Sequence, residues 1–131
     1  MIIPDFITGS FITLHGLVHL WYVVLSQKLV PFKPEMGWNG HSWLFTNLTG
    51  DAMARTLAGI SYSVSAFAIA ASGISIMAHA SFFRPVLIIS AALSAFTLVV
   101  FWDGSFERIV EKGLIGLLIN IAILVAAFII K

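Results

Sequence analysis

Four long apolar stretches, parted by short polar breaks, leave this chain few ways to fold. They cover roughly residues 6–26, 56–77, 85–102 and 109–130. A helix of about 20 apolar residues crosses the hydrocarbon core of a bilayer. Helix is the expected state, because a membrane barrel would show short alternating strands instead. The rest of the chain agrees. Of 131 residues, 60% are hydrophobic and 10% charged, against about 25% charged in an ordinary soluble domain. Seven Lys/Arg and six Asp/Glu cannot coat a soluble surface. The expectation is an all-α, integral membrane four-helix transmembrane bundle, one domain over residues 1–131.

The first stretch reads as a retained span rather than a signal peptide. Asp5 stands where a basic residue would be expected, and the apolar run continues to Leu25 without a small-x-small cleavage site. Breakers mark the other boundaries. Pro31 and Pro34 follow the first stretch, Pro85 opens the third, and Asp103–Ser105 turns between the third and fourth. The Lys/Arg balance predicts orientation. Lys28, Lys33, Arg55, Arg108 and Lys112 fall in the first and third loops, while Arg84 and Lys131 fall on the other side. That places those two loops in the cytoplasm and both termini outside the cell membrane.

The first loop, residues 27–55, is too long for a minimal turn and too aromatic for a floppy linker. Phe32, Trp38, Trp43 and Phe45 predict that it folds back onto the bundle mouth or the interface. The segment "NLTGDAMAR" reads as the start of the second span, with Asn47 or Thr49 as cap and Asp51 in the first turn. Every Trp and Tyr lies toward that same end. Tyr62 and Trp102 read as members of an interfacial belt. His41, Trp43, Asp51, Arg55 and Asp103 would line a cytoplasmic mouth. Acids and bases interleave from Glu107 to Lys112, which reads as a solvated turn.

Each stretch carries a polar or small stripe at helical spacing. On the first, Asp5, Thr8, His15, His19, Tyr22 and Ser26 fall within about a third of the circumference. The second offers Ser61, Ser65, Ala68, Ser72 and Ser75; the third Ser90, Ser94 and Thr97; the fourth Gly113, Gly116, Asn120 and Ala127. In lipid such residues let backbones approach and hydroxyls bridge helices, so the stripes predict the bundle interior. Tight packing is the plainer reading, and a ligand cavity among His15, His19, Tyr22, Ser94, Thr97 and Asn120 the sharper one. A primary amide at mid-bilayer depth must find a partner, so Asn120 should meet a hydroxyl of the third span or an imidazole.

The histidines of "LHGLVHLWY" admit several chemistries. His15 and His19 share a face at i,i+4 spacing. Two hydrogen-bonded interior imidazoles are the simplest outcome, since a neutral ring is tolerated where a charge is costly. A metal ion could bind His15 and His19, with His41 folding in as a further ligand. Heme would need a second axial ligand at matching depth, which only a homodimer could supply. A hydrogen-bonded file along the stripe could also pass protons or a solute. No cysteine, nucleophile-elbow motif or phosphate-binding glycine loop is present, so nucleophilic catalysis and nucleotide binding have little support and the balance leans away from an enzyme, and no basic cluster points to nucleic acid.

Three segments, "LHGLVHL", "GWNGHSWLF" and "FWDGSFERIVEKGLIGLLIN", together resemble a prokaryotic family of small four-span membrane proteins of no established function, often labelled hypothetical or ABC transporter permease. Gly40, His41, Ser42, Trp43 and Leu44, with Trp102, Asp103 and Gly104, carry the resemblance. A looser likeness to DoxX-type four-span proteins rests on architecture alone. The resemblance implies a four-span fold and assigns no site residues. The expected role is non-catalytic: a protein that binds a lipophilic ligand or membrane lipid, or a homo-oligomer or subunit of a larger membrane complex. A membrane metal or heme redox protein and an oligomeric transporter or proton-conducting unit are the alternatives.

Overall fold

The computed structural model describes residues 2–129, with side chains from residue 5. Four helices form the bundle: α1 (Ile2–Ser26), α3 (Asp51–Met77), α4 (Phe83–Val100) and α5 (Leu114–Ile129). A five-residue helix, α2 (Phe45–Thr49), and one 3-10 turn (Pro34–Met36) lie in the first loop. At 1.5 Å per residue, α1 and α3 are about 37 and 40 Å long. Residues 5–26, 51–77 and 83–100 are long and apolar enough to cross a membrane, while α5, with 16 residues, is apolar but shorter.

The fourth helix starts at Leu114, five residues later than the expected span. Residues 107–113 are a chain of turns. Arg108 sits at φ 52° and Gly113 at φ 108°, and neither value belongs to a right-handed helix. Glycine is required at 113: a Cβ there would lie 2.5 Å from Leu98 Cδ2 and 3.1 Å from Tyr22 Oη. Lys112 anchors the segment. Its side chain is 4% exposed and pairs with Asp103 at 2.8 Å, while its ammonium also donates to the Ser105 carbonyl. The turn is solvated at Glu107, Arg108 and Glu111, as expected, and clamped at Lys112.

The second span starts earlier than expected, at Asp51, and its N-cap is Gly50 without a side-chain capping bond. Asn47 and Thr49 belong to α2 instead, where the Thr49 hydroxyl donates back to the Phe45 carbonyl. Asp51 is in the first turn as expected and holds Arg55 at 2.9 Å.

Close approach of α1 and α3 forms the main seam of the bundle. Gly16 makes it possible, because a Cβ there would stand 2.7 Å from the Ala70 nitrogen and 2.8 Å from the Ala66 carbonyl oxygen. Small residues substitute for hydrophobic driving force when the solvent is lipid. Helix α3 then packs on α4, and α4 on α5. Hydroxyls bridge the α3–α4 seam: Ser72 meets Ser90 at 2.8 Å and Ser65 meets Thr97 at 3.4 Å. The backbones of α1 and α5 stay apart, which leaves a lateral cleft between them.

The first loop is the C-cap of α4. A helix leaves its last carbonyls without partners. Three consecutive ones are met from the loop: Trp43 Nε1–H donates to Val99 (2.7 Å), Ser42 Oγ–H to Val100 (2.6 Å) and Trp38 Nε1–H to Phe101 (2.8 Å). Trp38 is 1% exposed and packs with Tyr22, Tyr62 and Phe101 in an aromatic core. Tyr22 and Tyr62 stack at 4.9 Å between centroids. Tyr62 is therefore a core residue and not part of an interfacial belt, because the folded loop roofs this end of the bundle.

Candidate functional site

The polar stripes of α1, α4 and α5 meet in one buried ring of hydrogen bonds. His15 Nε2 lies 2.8 Å from Asn120 Oδ1, Asn120 Nδ2 lies 2.7 Å from Ser94 Oγ, and Ser94 Oγ contacts His19 Nε2. His19 Nδ1 closes the circuit on the His15 carbonyl at 2.9 Å. Asn120 and Ser94 are fully buried, and His15 and His19 nearly so.

One fixed acceptor sets the direction of every bond. The His15 carbonyl can only accept, so His19 Nδ1 carries a proton and donates. A neutral imidazole, the cheaper state at this depth, then leaves His19 Nε2 as acceptor. Ser94 must donate to it, which frees the Ser94 oxygen to accept from the Asn120 amide. Asn120 Oδ1 is left facing His15, whose Nε2 must donate. The ring thus assigns the Nδ1–H tautomer to His19 and the Nε2–H tautomer to His15.

His15 Nδ1 remains. On a neutral ring it is a lone-pair acceptor, and it has no hydrogen-bond partner among the described residues. No side-chain nitrogen or oxygen that is wholly sealed off lacks a partner among the described residues, so Nδ1 keeps access to open space. His15 lines a cavity of about 450 Å³ in the cleft, with His19, Tyr22 and Leu98 on one side and Gly113, Gly116 and Ile119 of the α5 segment on the other. A second cavity of about 720 Å³ adjoins it and shares Phe11 and Ile119. Its walls are mainly apolar, among them Leu87, Ala122, Ile123 and Ala126, and its far end holds Asp5, His79 and Arg84.

The expected site residues divide into groups. His15, His19, Ser94 and Asn120 form the ring. Tyr22 lies in the aromatic core above it and also lines the smaller cavity, with its hydroxyl donating to the Glu111 carbonyl at 3.3 Å. Thr97 belongs to the α3–α4 seam, where its hydroxyl donates to the Leu93 carbonyl. The five expected mouth residues do not converge on the ring. Asp103 is held by Lys112 and Asp51 holds Arg55, while Trp43 and the His41 carbonyl serve the loop that caps α4. At the opposite end, His79 pairs with Asp5 at 3.3 Å.

No three His, Asp or Glu side chains converge as potential metal ligands among the described residues. His15 and His19 stand edge to face with centroids 5.2 Å apart, and both Nε2 atoms are committed to the ring. The arrangement is suited to holding helices in register and to presenting one acceptor to an apolar cavity.

Sequence reasoning missed two features. The capping role of Ser42 leaves no sequence signal beyond its place between Trp38 and Trp43. The cavity wall contributed by Ala122 and Ala126 has one: small residues at i,i+4 on an otherwise bulky apolar helix.

Fold and site together define a small multi-span, all-helical membrane protein. Compared with family models, curated proteins and solved structures, the chain matches none.

Proposed function

We propose that this protein holds a lipophilic molecule in the lateral cleft between α1 and α5 and is not an enzyme. The observation that carries the reading is the pair of adjoining cavities, about 450 and 720 Å³, that share Phe11 and Ile119. Each falls in the range of small-ligand sites, about 300–1,000 Å³. The cleft is flanked by residues that face outward from the bundle, such as Leu14 and Ile115, so a membrane-dissolved molecule could enter sideways without crossing water. The Lys/Arg balance supports a cytoplasmic loop end, and the resemblance to small four-span proteins adds architecture without activity.

The test is native mass spectrometry and solvent extraction of protein purified in mild detergent. A discrete apolar adduct is expected, and Ala122→Trp with Ala126→Trp should abolish it by filling the larger cavity. Protein that emerges bare, or an adduct indifferent to the filled cavity, would refute the reading. A second reading is an accessory subunit, supported by the outer face of α5, where Leu118, Ile121, Val125 and Phe128 are exposed. The same spectra would then show a partner chain bound at fixed stoichiometry.

A further inference from the structure

We propose that the molecule in the cleft is recognised by a neutral hydroxyl, which donates its hydrogen to His15 Nδ1. This rests on the cleft reading above and adds the head-group chemistry to it. Three observations converge. The direction of the ring makes His15 Nε2 a donor, and on a neutral imidazole, the cheaper state at this depth, Nδ1 is then a lone-pair acceptor. That nitrogen has no hydrogen-bond partner among the described residues, on a residue only 8% exposed. And His15 lines a cavity whose walls carry no Asp, Glu, Lys or Arg.

A buried acceptor left empty costs free energy, so an occupant that supplies a donor is favoured over one that does not. A ketone, ether or ester offers only acceptors and would meet the Nδ1 lone pair with its own. A carboxylate or phosphate would have to shed its hydration in a cavity without a formal countercharge, which is more costly still. An alcohol or phenol on an apolar body meets both demands. Gly116 leaves room for it: a Cβ there would lie 3.8 Å from His15 Cε1, so the glycine keeps α5 from covering the imidazole edge. The apolar body would extend past Phe11 and Ile119 into the larger cavity. Aliphatic alcohols of the isoprenoid kind and alkylated hydroquinones share this chemistry.

The test uses matched pairs on the full chain in nanodiscs: farnesol against farnesyl methyl ether, and a decyl hydroquinone against its dimethyl ether. Binding is read by ring ¹⁵N chemical shifts of histidine-labelled protein. The free alcohol or phenol should bind about tenfold tighter than its ether, the difference one hydrogen bond makes. It should move the unprotonated Nδ1 resonance of His15, while His41 and His79 stay in place. Which pair gives the larger discrimination separates aliphatic from phenolic ligands. Equal affinity for alcohol and ether, with Nδ1 unmoved, overturns the head-group proposal and leaves cleft binding standing. Binding of none of the four probes overturns both. Gly116→Leu supplies a second arm: it should cover the imidazole edge and abolish the Nδ1 shift while the ring signals of His19 persist. Persistence of the shift in that variant also overturns the proposal.

Discussion

Asn120→Leu tests whether the hydrogen-bond ring holds the bundle together. Leucine repeats the branched four-atom skeleton of the amide, so the substitution removes polarity without opening a void. Two bonds are lost, at 2.8 Å to His15 and 2.7 Å to Ser94. Both partners are buried, and His15 Nε2–H would face a methyl group. In a water-soluble protein each orphaned group would cost about 1–3 kcal/mol. In lipid the separated helices also find polar partners, and interhelical bonds average about 0.6 kcal/mol with a maximum near 1.7. Two bonds at an intermediate value predict a loss of about 2 kcal/mol. The assay is unfolding in mixed micelles by increasing SDS, followed by helical circular dichroism and tryptophan fluorescence. Leu118→Ala on the exposed face of the same helix serves as control and should shift the midpoint little. The double variant His15→Leu with Asn120→Leu should cost about 1 kcal/mol less than the two single losses added, because the pair is then removed together. Wild-type stability for Asn120→Leu, or strict additivity in the double variant, would show that the ring is incidental and refute the reasoning.

Other substitutions probe the remaining supports. Gly113→Ala should destabilise by about 1–3 kcal/mol in the same titration, since it forces a side chain into a positive-φ position facing Leu98 and Tyr22. Lys112→Met should cost up to about 3 kcal/mol by orphaning Asp103, and the added Asp103→Asn should recover most of it; limited proteolysis within residues 103–113 gives an independent readout. Trp38→Phe keeps the aromatic packing but removes the indole donor from the Phe101 carbonyl, and should cost about 1 kcal/mol and loosen the first loop in hydrogen exchange. Gly16→Val should prevent the α1–α3 approach altogether, read as loss of the monodisperse folded species in detergent.

The interior was legible in the sequence because lipid leaves polar residues so few places to go. Ser90, Ser94, Thr97 and Asn120 all lie inward, and Asn120 bonds both an imidazole and a hydroxyl of the third span. The inner part of the α1 stripe, His15 to Ser26, is buried for the same reason, whereas Thr8 is exposed at the mouth of the larger cavity. The loop end was less legible. Hydropathy cannot see that Arg108 and Gly113 adopt positive φ, so the apolar residues Ile109 and Val110 read as helix when they lie in turns. Nor can it see that indoles and a serine hydroxyl cap α4, because that depends on where the long connection between α1 and α3 returns in space. A cavity beside His15, His19 and Tyr22 was within reach of the sequence, but its opening between α1 and α5 was not, since a gap between two helices is a property of how all four are arranged.

That gap follows from which helix pairs carry small residues at their contacts. Gly9, Gly16 and Gly73 let α1 and α3 touch backbone to backbone, and serines knit α3 to α4. Helix α5 presents Ile119 and Ile123 toward α1 at the corresponding depths, and bulky side chains hold backbones apart. Across that opening α1 reaches α5 through the His15–Asn120 bond, with Tyr22 packing near Leu117 at the loop end. The ring therefore does two things at once. It fixes the depth of α5 against α1 and α4, and it orients His15 at the wall of the space the same helices leave open. The tautomer that stabilises the bundle is also the tautomer that presents an acceptor to the cleft. Ser94→Ala makes the two roles separable. It removes both the donor to His19 and the acceptor of the Asn120 amide but leaves the His15–Asn120 bond in place. Stability should fall by about 2 kcal/mol, as for the two bonds lost in Asn120→Leu, while His15 Nδ1 loses the constraint that fixes it as acceptor. A ring ¹⁵N spectrum of this variant should show His15 as a mixture of tautomers, where the wild type shows one. A single unchanged tautomer would mean that local helix geometry, and not the ring, sets the direction of His15.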